Sequence, residues 1–167
     1  MVIHALKRFL VSSARREPVT TLVLHATDGP TMDGAVTWLR LPRINLSYHF
    51  IIDEHGEVWK CVPYRDRVAW HAGRSVGPGG RSGVNAYSVG IAFVCWDSHG
   101  GLISGKQLSA ALELIRVLSK DIETCKYVTT HYAISPGRKT DPATLSRGQK
   151  DSIRSLCAEL GLEAWGI

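Results

Sequence analysis

Four of the seven histidines, His25, His49, His71 and His131, fall beside apolar strand-like runs and not in polar turns, and two of them stand where chemistry is usually presented. His25 ends the run Val19-Thr-Thr-Leu-Val-Leu24 and His131 follows Tyr127-Val-Thr-Thr130. Strand ends are where α/β sheets display functional groups. Ten residues beyond His131 comes Asp141, inside Ser135-Pro-Gly-Arg-Lys-Thr-Asp-Pro142, a loop stiffened by two prolines. Two imidazoles and one carboxylate on a tetrahedral ion leave one position open for water, as in a catalytic zinc site. Spacing alone leaves that reading open against satisfied core histidines and an ordinary loop carboxylate, because nothing resembles a compact H-E-x-x-H. His4, His55 and His99 lie in a terminal element or in polar turns and read as solvated.

The elements that must position these residues alternate between strand and helix. Val19 to Leu24 is β-branched and apolar, the pattern of a buried strand, and Asp28-Gly-Pro30 turns the chain. Met32 to Leu41 reads as a short helix with Val36, Leu39 and Trp38 inward, stopped by Pro42. Tyr48 to Ile52 and Glu57 to Val62 read as a hairpin about Asp53-Glu-His-Gly56. Gly73 to Gly83 holds five glycines and one proline and reads as a surface loop suited to binding. Tyr87 to Cys95 is a second buried strand. Lys106 to Lys120 places Leu108, Ala111, Leu112, Ile115 and Leu118 on one helical stripe. A last helix begins after Ser146 and stops at Gly161. The expectation is one α/β domain over residues 1–167, with a mixed central sheet flanked by helices, a core of about 19–161 and an N-terminal extension over 1–17.

Composition narrows the partners. Lys plus Arg number 20 against 15 Asp plus Glu, so a net charge of +5 favours polyanions without choosing among them. No dense basic block marks a nucleic-acid arm, and no segment is apolar long enough to span a bilayer. Lys7 and Arg8 interrupt the stretch a signal peptide would need, which points to synthesis in the cytoplasm. Val2, Ile3, Leu6, Phe9 and Leu10 sit at helix-like spacing and read as a short element packed on the domain in preference to a basic membrane-surface helix. Cys61, Cys95, Cys125 and Cys157 form no C-x-x-C pair and read as buried free thiols.

Five ordered motifs carry more than spacing does. Leu24-His-Ala-Thr27, Leu46-Ser-Tyr-His-Phe-Ile-Ile-Asp53, Trp70-His-Ala-Gly73, Tyr87-Ser-Val-Gly-Ile91 and Ser135-Pro-Gly-Arg-Lys-Thr-Asp-Pro142 closely resemble the type 2 N-acetylmuramoyl-L-alanine amidases. That family includes phage endolysins, cytosolic cell-wall recycling amidases and peptidoglycan recognition proteins. The resemblance runs from about Thr20 to Leu145. It implies one zinc per chain on His25, His131 and Asp141, a peptidoglycan or muropeptide substrate, no nucleic-acid partner and a monomer. It also implies that Lys139, two residues before the third ligand, stands near the reacting carbonyl.

One departure matters. Where recycling amidases carry a glutamate thought to act as base after Y-S-I-G-I, this chain has Ala92, and where they carry a small residue it has Tyr48. Tyrosine there is the pattern of phage-type and catalytic recognition members, so Tyr48 is the expected replacement and an endolysin the expected setting. Read without the family, Tyr48 is a packing residue at a strand start and Lys139 a solvated charge. His49 should point to the face opposite Tyr48 and be structural. His71 is expected to line the groove and not to bind metal, with Trp70, Arg74 and Asn85 as peptide or sugar contacts.

Overall fold

The computed structural model describes residues 2–167. Nine strands are formed: β1 (Ile3–Ala5), β2 (Ser12–Ala14), β3 (Thr21–Ala26), β4 (Phe50–Ile52), β5 (Val58–Lys60), β6 (Arg67–Ala69), β7 (Ser88–Phe93), β8 (Tyr127–Thr130) and β9 (Glu163–Ala164). Four α-helices join them: α1 (Met32–Leu39), α2 (Gly105–Asp121), α3 (His131–Ile134) and α4 (Arg147–Leu160). Seven strands make one sheet in the order β1-β5-β4-β7-β3-β8-β9, and β2 pairs with β6 in a separate ribbon. Every neighbouring pair of the large sheet is parallel except the β4–β5 hairpin. The mixed sheet expected from the sequence is what forms.

The middle strands are buried on both faces, which is why β3 and β7 read as unbroken apolar runs. Their side chains alternate. Leu22 and Leu24 of β3, with Val89, Ile91 and Phe93 of β7, pack in one core with Leu114, Ile115 and Leu118 of α2 and Ile153 and Leu156 of α4. Val23 faces the other way, against Ala72, Val84, Tyr87 and Ile134. Ala92 faces Tyr48, Ile51 and the α1 residues Met32, Val36 and Leu39. Helices thus cover both faces, and the second face also carries loops. Both long helices start with a reciprocal capping box, Ser104 with Gln107 and Ser146 with Gln149, and Gly161 ends α4 in the left-handed region at φ 69°.

One expectation is corrected and another is given its form. Trp38 is 46 % exposed, because the inward stripe of α1 is Met32, Ala35, Val36 and Leu39, and position 38 falls outside it. The N-terminal stretch is the short packed element read from the sequence, and it is extended and not helical. β1 adds to the open edge of β5 in parallel, and β2 pairs with β6. Unpaired backbone groups at a sheet edge offer a ladder that outweighs a short helical pattern. The four cysteines are free and buried, as read.

Candidate metal centre and groove

Strand β3 carries His25 at its penultimate position, with its side chain fully buried on the groove side of the sheet. β8 lies beside β3 in parallel and ends at Thr130, whose hydroxyl caps α3, so that His131 opens that short helix next to His25. The two rings meet edge to face with centroids 4.5 Å apart. The loop after α3 returns Asp141 between them, its backbone carbonyl accepting from Tyr132 N–H at 3.0 Å. Asp141 Oδ1 lies 3.0 Å from His131 Nδ1 and Oδ2 lies 3.4 Å from His25 Nδ1. One ligand atom from each of the three residues falls within 4.8 Å of the other two. The three-residue set expected from the sequence is therefore brought together.

The donor count shows what is missing from this cluster. His131 Nε2 faces the Ala72 carbonyl at 3.3 Å. The Ala72 carbonyl and the Asp141 carboxylate, the latter 3.1 Å from Nδ1, both only accept, so a neutral ring with one proton leaves one of the two contacts unmet, and a cation between Nδ1 and Asp141 would meet it with the proton on Nε2. His25 Nδ1 is buried without a hydrogen-bond partner of good geometry. Burial lowers the His25 pKa to about 4, holding the ring neutral. Burial opposes ionisation of Asp141, but the adjoining imidazoles of His131 and His25 outweigh it and keep the carboxyl well below the usual carboxylate range. A neutral His25 with an orphaned buried nitrogen, a second imidazole and an anion converge on one point and form a site a divalent cation would complete.

His131 and Asp141 line a groove of about 910 Å³, with His25 buried behind them, and its other walls include Tyr48, Trp70, Lys139, Asp97, Thr27 and Trp38. The Tyr48 ring stands 5.3 Å from that of His25 by centroids. Burial drives the Tyr48 pKa upward, so the hydroxyl keeps its proton at neutral pH. Lys139 is exposed on the groove wall and forms no ion pair among the described residues. Ala92 sits level with His25 across the β3–β7 pair, which puts the position of the missing glutamate beside the cluster.

The remaining expectations divide. His49 is structural: Nδ1 accepts from Gly90 N–H at 3.0 Å and Nε2 lies 3.2 Å from the Arg67 carbonyl. Trp70 lines the groove. His71 borders it but is only 1 % exposed, and its Nδ1 lies 2.9 Å from His25 Nε2. Arg74 is exposed outside the groove lining, and the Asn85 side chain is turned onto backbone, its Oδ1 accepting from the N–H groups of His71 at 3.1 Å and Ala72 at 2.8 Å.

Three positioning residues were not singled out from sequence. Asp97 accepts from Ala143 N–H at 2.9 Å and from Thr144 N–H at 3.0 Å, fastening the loop that bears Asp141. Arg138 donates to the carbonyls of Ala72 at 2.9 Å and Arg74 at 2.7 Å. Arg15 donates to the carbonyls of Tyr64, Ala86 and Ser88. Only the P-G-R-K-T-D-P motif hinted at any of them, through Arg138.

Known proteins agree with this architecture. Residues 15–144 match the family model described as N-acetylmuramoyl-L-alanine amidase. The 1,6-anhydro-N-acetylmuramyl-L-alanine amidase AmpD of Escherichia coli K12 is 31 % identical over 144 residues, covering 75 % of this chain and 76 % of that protein. A crystal structure of a selenomethionine AmpD derivative superposes with a TM-score of 0.73 at 23 % identity, over 92 % of this chain and 93 % of that one. The E. coli amidase AmiD, solved with the substrate anhydro-N-acetylmuramic acid-L-Ala-D-γ-Glu-L-Lys, gives a TM-score of 0.68 at 25 % identity, over 90 % of this chain and 63 % of that one. On the matched family model, the relative and the shared fold together, the chain belongs to the N-acetylmuramoyl-L-alanine amidase family.

Proposed function

We propose that this groove hydrolyses the amide between N-acetylmuramic acid and L-alanine of peptidoglycan, with one zinc ion held by His25 Nδ1, His131 Nδ1 and the Asp141 carboxylate. The observation that carries the reading is the convergence of those three acceptors around the orphaned His25 Nδ1 at the floor of an open groove. Zinc bound there would activate water and polarise the amide carbonyl.

The chain's own groups supply the rest. Negative charge grows on the carbonyl oxygen as the amide is attacked. Lys139 brings a cation to the wall of the groove, and Tyr48, kept protonated by its burial, offers a hydroxyl donor beside the His25 ring. One well-placed donor is worth about 3 kcal/mol of barrier. Asp141 stays ionised and helps hold the cation. Trp70 supplies an aromatic wall for sugar or peptide.

Tyr48 beside the cluster, with Ala92 where a glutamate base would stand, favours a phage-type endolysin. A second reading, a recycling enzyme acting on free muropeptides, is favoured by the 31 % identity to AmpD. Both predict product with a free L-alanine amino terminus and no new reducing sugar. Digestion of intact sacculi and of isolated anhydromuropeptides, read by mass spectrometry, separates them. Efficient release from sacculi supports the endolysin, and activity confined to free fragments supports recycling. New reducing ends, or full activity in a preparation shown to be metal-free, would overturn the proposal itself.

A further inference from the structure

A chain of hydrogen bonds leads inward from His25 to a serine on β7, and only one arrangement of protons satisfies it. The Ser88 hydroxyl lies 2.6 Å from the Val84 carbonyl, which can only accept, so its single proton is committed there. The same oxygen lies 3.0 Å from His71 Nε2, and must therefore accept from an Nε2–H. The neutral His71 ring then has a bare Nδ1, which lies 2.9 Å from His25 Nε2. That contact requires a proton on His25 Nε2, and the lone pair of His25 is left on Nδ1, the atom that faces Asp141 at 3.4 Å.

From this we infer that His71 is a positioning residue for the metal centre: it fixes the tautomer and ring orientation of His25, so that Nδ1 faces the ion. The inference rests on the zinc reading above. The surroundings of His71 are built for the task. A Cβ added at Gly90 would meet the His71 ring at 2.5 Å, so glycine is required there for the ring to fit. Asn85 holds the His71 and Ala72 amides. Ser88 ends the chain. The motif Tyr87-Ser-Val-Gly-Ile91 thus serves His71, and Trp70-His-Ala-Gly73 reaches both proposed ligand histidines, since the Ala72 carbonyl lies 3.3 Å from His131 Nε2. Outer partners of this kind raise ligand basicity and are worth a tenfold to hundredfold in metal affinity.

Two variants of matched branching test the role. His71→Asn keeps an oxygen at the position of Nδ1, able to accept from His25, whereas His71→Leu fills similar space without an acceptor. Zinc affinity is measured by competition with a chromophoric chelator at fixed pH. His71→Leu is expected to bind zinc about 10- to 100-fold more weakly than wild type, and His71→Asn to recover most of that loss. Wild-type affinity in a folded His71→Leu protein would overturn the inference, as would equal losses in both variants. Should His71→Leu fail to fold, the wild-type protein decides. Long-range ¹⁵N–¹H correlation of labelled histidines, with and without zinc, is expected to show protons on Nε2 of both His25 and His71. A proton on His71 Nδ1 would overturn the inference. A wild-type protein that takes up no zinc refutes the zinc reading instead, and the proton positions in the metal-free protein still judge His71.

Discussion

At the scale of single residues the question is which groups act on the substrate and which only hold others. Tyr48 is the sharpest case, because a packing role and a catalytic role make opposite predictions. Its ring fills space beside His25, Ile51 and Ala92, so Tyr48→Phe should fold and bind zinc as wild type does. Turnover is expected to fall about a hundredfold when the hydroxyl goes, if that group donates to developing charge. Retention of more than half the wild-type rate in a steady-state assay would assign Tyr48 to packing alone. Lys139→Ala should lose activity on a similar scale with zinc retained, because its side chain contacts the groove and none of the three ligands depends on it.

At the scale of elements, the site depends on a strand, a helix start and a loop that meet at one point. The strand and helix start are secured by the sheet, but the loop needs a separate anchor. Asp97 is that anchor, accepting from two backbone N–H groups and from the Thr144 hydroxyl at 2.7 Å. Asp97→Ala leaves those donors without their partner at a site only 8 % exposed, and a stability loss of about 2 kcal/mol in urea is expected. Zinc affinity should fall with it, as Asp141 loses its fixed position. Unchanged affinity would show that the loop is held by its prolines alone.

The sequence made some of these relations legible and hid others for a physical reason. Buried strands, the helix stripe on α2 and the Ser146 and Gly161 boundaries follow from local patterning, and the structure keeps them. His25 and Asp141 could be named because each lies in a motif, and His131 because it opens the segment that leads into the second of these. His71 could be placed near the groove but not assigned a partner, because His25 lies 46 positions away and their contact depends on how β3 and the segment after β6 are stacked. Asp97 and Arg15 were invisible for the same reason: their partners are backbone groups 46 and 73 positions distant, which carry no side-chain signature. β1 could be read as a packed element but not as a strand, because its partner is a sheet edge, and edges are a property of the assembled sheet.

At the scale of the whole molecule, burying neutral histidines ties folding to pH. Burial holds the folded pKa of His25 at about 4 and of His49 at about 3, with Arg15 adding to the effect at His49. In the unfolded chain both titrate near 6.5. Below that value the unfolded chain takes up protons that the folded chain refuses, so stability is lost as pH falls from about 6.5 toward 4 and below. Each histidine contributes a slope of about 1.4 kcal/mol per pH unit across its window. Urea midpoints of the metal-free protein should drop steadily from pH 7 to pH 5, and a flat profile would contradict the neutral burial. Asp141 adds to this loss only at lower pH, since its depressed pKa lends stability that persists until its unfolded form begins to protonate.

In the proposed zinc site both histidines would offer the δ nitrogen, the atom each turns toward Asp141, and not the ε. The δ nitrogen is one bond nearer the main chain, so an ion there sits close to the backbone of β3 and of the first turn of α3. Its location is then set by strand pairing, through the parallel register that puts Leu24 opposite Thr130, with little left to side-chain rotation. What evolution or an engineer can adjust without moving the ion is the rest of the groove. Tyr48, Ala92 and Lys139 stand on different segments, so the chemistry around a stationary centre is open to substitution one segment at a time.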